Sequence, residues 1–168
     1  MSERLRHKPS SLGQQDFLKY YGGVYEHSPW FAMQAWTDEP HDTLDTVDGL
    51  AEAMRRAVEK ADDKAKLALI SVHPDLAGRV RMSPESVSEQ SSAGLDHCTA
   101  EELAEFRRLN RDYIDRFGFP FIKAVRGFSR QQILAEFRDR LANTPKDEFR
   151  TALDEIHKIA RLRLSDLT

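Results

Sequence analysis

The sequence predicts an all-α fold, a single-domain bundle of about seven or eight helices. Three observations carry that prediction. Helix-start signals recur along the chain at Thr46, Ser83-Pro84, Thr99-Ala100-Glu101-Glu102, Ser129-Arg130-Gln131-Gln132 and Thr144-Pro145. These are side-chain caps, caps followed by Pro at the first helical position, and two capping boxes. Between them, apolar residues return at three- and four-residue spacing, and alternating β-branched runs are nearly absent. The eight Gly and seven Pro are spread too thinly for a linker or a repeat. A chain of 168 residues can bury roughly 70% of the surface it exposes when unfolded. Residues 1–168 are therefore expected to be one domain, with residues 1–10 a flexible N-terminal segment.

The elements follow in order. Residues 11–21 read as a helix stopped by Gly22-Gly23, and residues 29–36 as a short helix entered through Ser28-Pro29. Thr46 caps a helix running to about Lys60, with Leu50, Ala53, Met54, Ala57 and Val58 on one face. Residues 63–71 lead into His73-Pro74, where the proline ends helical structure. Ser83-Pro84 opens a helix to about Ala93, with Gly94 after it. The Thr99 box opens a helix carrying Leu103, Phe106, Tyr113, Ile114 and Phe117, stopped by Gly118. The Ser129 box opens one to about Ala142, and Thr144-Pro145 starts a last helix that runs close to the C-terminus. Residues 119–127 fit neither period. They are apolar, interrupted by Pro120, and read as a buried loop or a short strand.

Composition excludes several classes. Lys+Arg is 25 against 28 Asp+Glu, a net charge of −3, which argues against sequence-independent nucleic-acid binding. The single cysteine, Cys98, leaves no internal disulfide and no cysteine-based metal site. No apolar run approaches the roughly 20 residues that span a bilayer. Residues 1–10 lack the apolar core of a secretory signal, and the closing Ser165-Asp166-Leu167-Thr168 is not a peroxisomal address. None of the six histidines pair at His-x-x-x-His spacing, so no metal site is expected. Gly-x-Ser-x-Gly, P-loop and Gly-x-Gly-x-x-Gly motifs are missing. The expectation is a cytoplasmic protein without membrane or nucleic-acid partners.

Three features break the helical pattern. On the last helix, Phe149, Ala152, Leu153, Ile156, Ile159, Ala160 and Leu167 form an apolar stripe, and Arg163 falls on it. A guanidinium there needs an anionic partner or a cavity. From the pattern alone an internal salt bridge or a snorkelling side chain is the ordinary account of it. Arg161 lies on the polar face with Asp154, His157, Lys158 and Ser165. In the helix after Pro84, Ser86, Glu89 and Gln90 sit at i, i+3 and i+4, so a hydroxyl, a carboxylate and an amide project together. That face is either solvated or functional. His73 ends the apolar run Leu67-Ala68-Leu69-Ile70, a place suited to acid–base work or to bonding terminal carbonyls.

These residues fall within motifs that resemble one family. His73-Pro74-Asp75-Leu76-Ala77-Gly78-Arg79 resembles the signature of the 2-oxo-4-hydroxy-4-carboxy-5-ureidoimidazoline (OHCU) decarboxylases. So do Glu26-His27-Ser28-Pro29-Trp30, Ser88-Glu89-Gln90 with Ala93-Gly94-Leu95, Leu109-Asn110 with residues 117–127, and the run 156–164. The resemblance spans about residues 10–167. His-Pro-Asp-Leu alone is a weak signal, whereas five ordered motifs are specific.

The resemblance implies His73 and Glu89 as catalytic groups. It implies Pro74, Ser86, Gln90, Phe121, Ile122, Val125 and Arg163 as substrate contacts. It further implies decarboxylation of OHCU to (S)-allantoin without a cofactor, in a homodimer. Two other readings stay open on sequence alone: a related lyase acting on another ureido acid, and a non-catalytic helical binding module.

Overall fold

The structure, a computed structural model, describes residues 2–78 and 82–168. Among these residues there are eight α-helices and no β-strand: α1 Gln14–Tyr21, α2 Pro29–Asp38, α3 Val47–Lys60, α4 Asp63–Ser71, α5 Pro84–Ser92, α6 Ala100–Phe117, α7 Arg130–Arg140 and α8 Pro145–Ser165. Three 3-10 turns accompany them: Pro9–Ser11 before α1, His41–Leu44 between α2 and α3, and Leu95–His97 between α5 and α6. The all-α expectation and the helix count hold.

The caps explain the boundaries. Thr46 accepts from Gly49 N–H and starts α3, and Asp62 accepts from Ala65 N–H and starts α4. Ser83 accepts from Ser86 N–H at α5. Thr99–Glu102 and Ser129–Gln132 form complete capping boxes at α6 and α7. Gly118 ends α6 at φ +78°, the left-handed conformation that glycine adopts without a side-chain clash. Gly49 is required for another reason: a Cβ there would lie 1.9 Å from Thr43 O.

The chain forms two compact units, Met1–Val72 with Ile156–Thr168, and His73–Glu155. In the first, α1 packs on α2 and α2 on α3. Its core holds Phe17, Tyr21, Leu44, Leu50, Met54 and Val58, all essentially buried. The N-terminal segment expected to be flexible is seated in this unit. Leu5 is buried, Leu5 N–H donates to Asp45 O, Val47 N–H donates to Glu3 O, and Arg6 N–H donates to Leu167 O. Backbone bonds of this kind tie down a terminus whose composition alone looks loose.

In the second unit α6 packs on α7, and aromatic rings fill the core. Phe121 stacks on Phe137 at 3.8 Å, and Tyr113 meets both edge-on. Residues 119–127 form a buried loop and not a strand. Two apolar residues of the predicted stripes face solvent, Ile114 on α6 and Leu167 beyond the last turn of α8.

Candidate active site

The candidate residues other than Arg163 lie in the unit His73–Glu155. His73 comes two residues after α4, just past its C-cap Val72, and is buried. Pro74 cannot extend the helix, and the chain turns tightly: Gly78 N–H donates to Asp75 O at 3.4 Å. Ala77 sits at φ +56°, a left-handed conformation that a residue with a Cβ adopts only when its surroundings hold it there.

Those surroundings are two side-chain amides. Gln90 on α5 accepts from Ala77 N–H at 3.0 Å and donates to Asp75 O at 3.1 Å. Asn110 on α6 donates to Leu76 O at 3.0 Å. The Arg79 of the sequence motif lies outside the described residues. Burial pushes the Asp75 carboxyl above the usual carboxylate range.

The polar face of α5 turns inward. Ser86 and Gln90 are buried and Glu89 is partly buried, so the solvated-face reading does not hold. Ser83 caps the helix at its start, and the i, i+3 and i+4 spacing puts the three side chains on one face. Gln90 is bonded to protein and also contacts Met82 Sδ at 3.3 Å, which makes it part of the site's framework.

Phe121, Ile122 and Val125 are buried. Among the described residues their loop has no ladder partner, and side chains hold it instead. Arg140 Nη1 donates to Ile122 O at 2.7 Å, and Glu155 Oε1 accepts from Ala124 N–H at 3.3 Å. Lys123 pairs with Glu136 at 2.8 Å and lies 3.7 Å over the Phe128 ring. Helix α6 links both halves of the candidate site. Asn110 touches the His73 loop, and Tyr113, three residues on and on the same face, meets Phe121 edge-on at 5.5 Å.

Arg163 is in the other unit and is buried there. Its Nη2 donates to Glu26 Oε2 at 2.8 Å, and Nη1 approaches the carbonyls of Gly23 and Val24 at 3.4 Å. The anionic partner required by its place on the stripe is therefore Glu26. Arg161 is exposed and pairs with Asp48.

Three comparisons place this arrangement. The family model described as OHCU decarboxylase matches residues 10–165. The chain is 42% identical to the 2-oxo-4-hydroxy-4-carboxy-5-ureidoimidazoline decarboxylase of Haloferax volcanii, over 99% of this chain and 97% of that protein. The chain belongs to the OHCU decarboxylase family. Among solved structures, it superposes on an (S)-allantoin synthase with TM-score 0.77 and 35% identity, covering 94% of this chain but 51% of that one. It also superposes on an OHCU decarboxylase crystallised in the presence of (S)-allantoin, with TM-score 0.70 and 27% identity over 92% and 98% of the two chains.

All the candidate residues fall inside the span matched to the family. Sequence reasoning missed the groups that hold them. Arg140, Glu148, Glu155 and Lys123 are buried charges. Glu148 and Glu155 sit at stripe positions of α8, four before and three after Ala152, so the spacing that singled out Arg163 carried the signal for them too. Among the described residues, no cluster of three or more His, Cys, Asp or Glu is placed to hold a metal ion. Cys98 is partly buried and donates to Leu95 O.

Proposed function

We propose that this chain decarboxylates OHCU to (S)-allantoin, the last step from urate to allantoin, with His73 and Glu89 as its acid–base pair. The chain is a carboxy-lyase by family. The observation that carries the reading to residues is the pair of bonds from Gln90 into the turn 75–77, which ties the inward face of α5 to the His73 loop.

The substrate is a small anion bearing a carboxylate, a hydroxyl and a ureido group. When the bond to the carboxylate breaks, CO2 leaves and the electron pair passes into the adjacent ring C=N. The hydroxyl loses its proton as its carbon becomes a ring carbonyl. A proton is then added to the neighbouring carbon that carries the ureido group, and the ring nitrogen that received the electron pair takes one from solvent. The ring itself takes the electrons, so the protein's work is positioning, charge stabilisation and proton movement. His73 takes the hydroxyl proton, and Glu89 orients the substrate or the imidazole. Ser86 matches a donor or acceptor of the ureido group, beside Gln90. Pro74 and the loop of Phe121, Ile122 and Val125 supply apolar wall and backbone polar groups. Arg163 is the candidate for an anionic oxygen, on the chemistry of its forked donors and the resemblance of its helix. Protonation from one face sets the S configuration.

The reading includes a cytoplasmic homodimer. Supporting it, no described helix is long and apolar enough to cross a membrane, and Trp30 is 55% exposed, a large apolar surface suited to a partner copy. Light scattering at micromolar concentration reads the dimer directly. To test the activity, the purified protein is added, without cofactor, to urate, urate oxidase and hydroxyisourate hydrolase. Optically active allantoin should form faster than by the spontaneous racemic route. An unchanged rate and a racemic product would overturn the proposal.

A further inference from the structure

We infer that Asn110 is a positioning residue for the decarboxylation, acting through the backbone of the turn that carries His73. The inference rests on His73 being catalytic. Asn110 is 7% exposed, on the inner face of α6 between the core residues Phe106 and Tyr113. Its Nδ2 donates to Leu76 O at 3.0 Å. Among the described residues its Oδ1 accepts no hydrogen bond. A buried amide with one half unused is a poor choice for packing, and a leucine of similar size would avoid the penalty. The bond to Leu76 is what the amide supplies.

That bond falls in the middle of a grip on three consecutive residues. Gln90 holds Asp75 O and Ala77 N–H from α5, while Asn110 holds Leu76 O from α6. Ala77 lies within this grip at φ +56°. A non-glycine residue stays in that region only when neighbouring bonds over-determine the backbone. Leu76 is buried, so water does not readily replace the amide. Without Asn110 the Leu76 carbonyl is left unpaired, the turn relaxes, and the backbone of His73 and Pro74 shifts with it.

The test is steady-state kinetics on folded variants, with far-UV circular dichroism as the folding check. In Asn110→Leu, kcat should fall by on the order of 10- to 100-fold, the scale of a sub-ångström to 1 Å displacement of a catalytic group. KM should stay within about threefold, because the lost interaction positions the transition state and does not bind the ground state. Asn110→Asp supplies a signature that packing does not. Its carboxylate cannot donate to Leu76 O but its protonated form can, so the ratio of variant to wild-type kcat should rise as pH falls.

A folded Asn110→Leu with wild-type kcat overturns the inference, as does one that loses only KM. If Asn110→Leu does not fold, the aspartate variant decides: a ratio independent of pH overturns it. His73→Ala, measured alongside, separates the two levels. Full activity in His73→Ala sinks both the catalytic reading and this one. An inactive His73→Ala beside a wild-type-like Asn110→Leu sinks the positioning role alone.

Discussion

Arg140 Nε donates to Glu148 Oε1 at 2.9 Å, and both side chains are buried. The same carboxylate accepts from Tyr113 O–H at 2.5 Å and from Asn143 Nδ2 at 3.1 Å, while Arg140 reaches on to Ile122 O. Burial, followed by the hydrogen bond to Glu148, pushes the Tyr113 phenol well above its ordinary range. The pair therefore joins α6, α7, α8 and the loop 119–127 at one point. Such a pair adds little net stability over an apolar replacement, but removing one member strands the other charge. Glu148→Ala should cost about 3–5 kcal/mol, and Tyr113→Phe about 1.5 kcal/mol. Urea midpoints at neutral pH read both. A Glu148→Ala midpoint within error of wild type would show that the network carries nothing.

His73→Ala and Glu89→Ala should each lower kcat by at least about 100-fold, the usual contribution of a positioned acid–base group. His73 lies beyond the C-cap of α4 and Glu89 is not the capping residue of α5, which is Ser83, so the variants should stay folded. Initial rates of optically active allantoin formation check this. Near-wild-type turnover in folded His73→Ala would assign the proton transfer to another group.

The helices were legible because their start signals are local. Thr46, Ser83, Thr99 and Ser129 each bond a backbone N–H three residues on, and such short-range chemistry is written in the sequence. Arg163 was legible for a similar reason, since helical spacing places it on a buried face. Its partner was not, because Glu26 lies 137 positions away and spacing says nothing about what a buried face meets. The loop 119–127 was ambiguous for a third reason. Its carbonyls and N–H groups bond to Arg140 and Glu155 side chains, so neither the helical nor the strand period is imposed on it. Residues 3–6 misled in the opposite direction, as polar composition concealed a backbone pairing with residues 45, 47 and 167.

The two neighbouring arginines of α8 should behave differently. Arg163→Ala leaves Glu26, which is 1% exposed, as a buried charge stripped of its guanidinium, and should cost about 3–5 kcal/mol as well as weakening activity. Arg161→Ala breaks an exposed pair with Asp48 and should cost at most about 1 kcal/mol with activity kept. Thermal unfolding and kcat/KM on the two variants make the comparison. The reverse ranking would place the functional guanidinium at Arg161.

Asp75 gives a prediction in pH. Burial raises its carboxyl above the ordinary value of 3.8, so the folded state binds that proton more tightly than the unfolded state does. The associated stability is present in full below the ordinary value and is lost as pH rises through the folded one. At neutral pH the wild-type chain therefore carries a partly buried carboxylate that burial disfavours. Asp75→Asn removes the charge while leaving the backbone acceptor used by Gln90 in place. The variant should be more stable than wild type at pH 7, and its advantage should shrink as pH falls through the raised native value toward about 4, the ordinary carboxylate range. Paired urea titrations at the two pH values measure this, and a stability difference that does not change with pH would show that Asp75 titrates alike in both states.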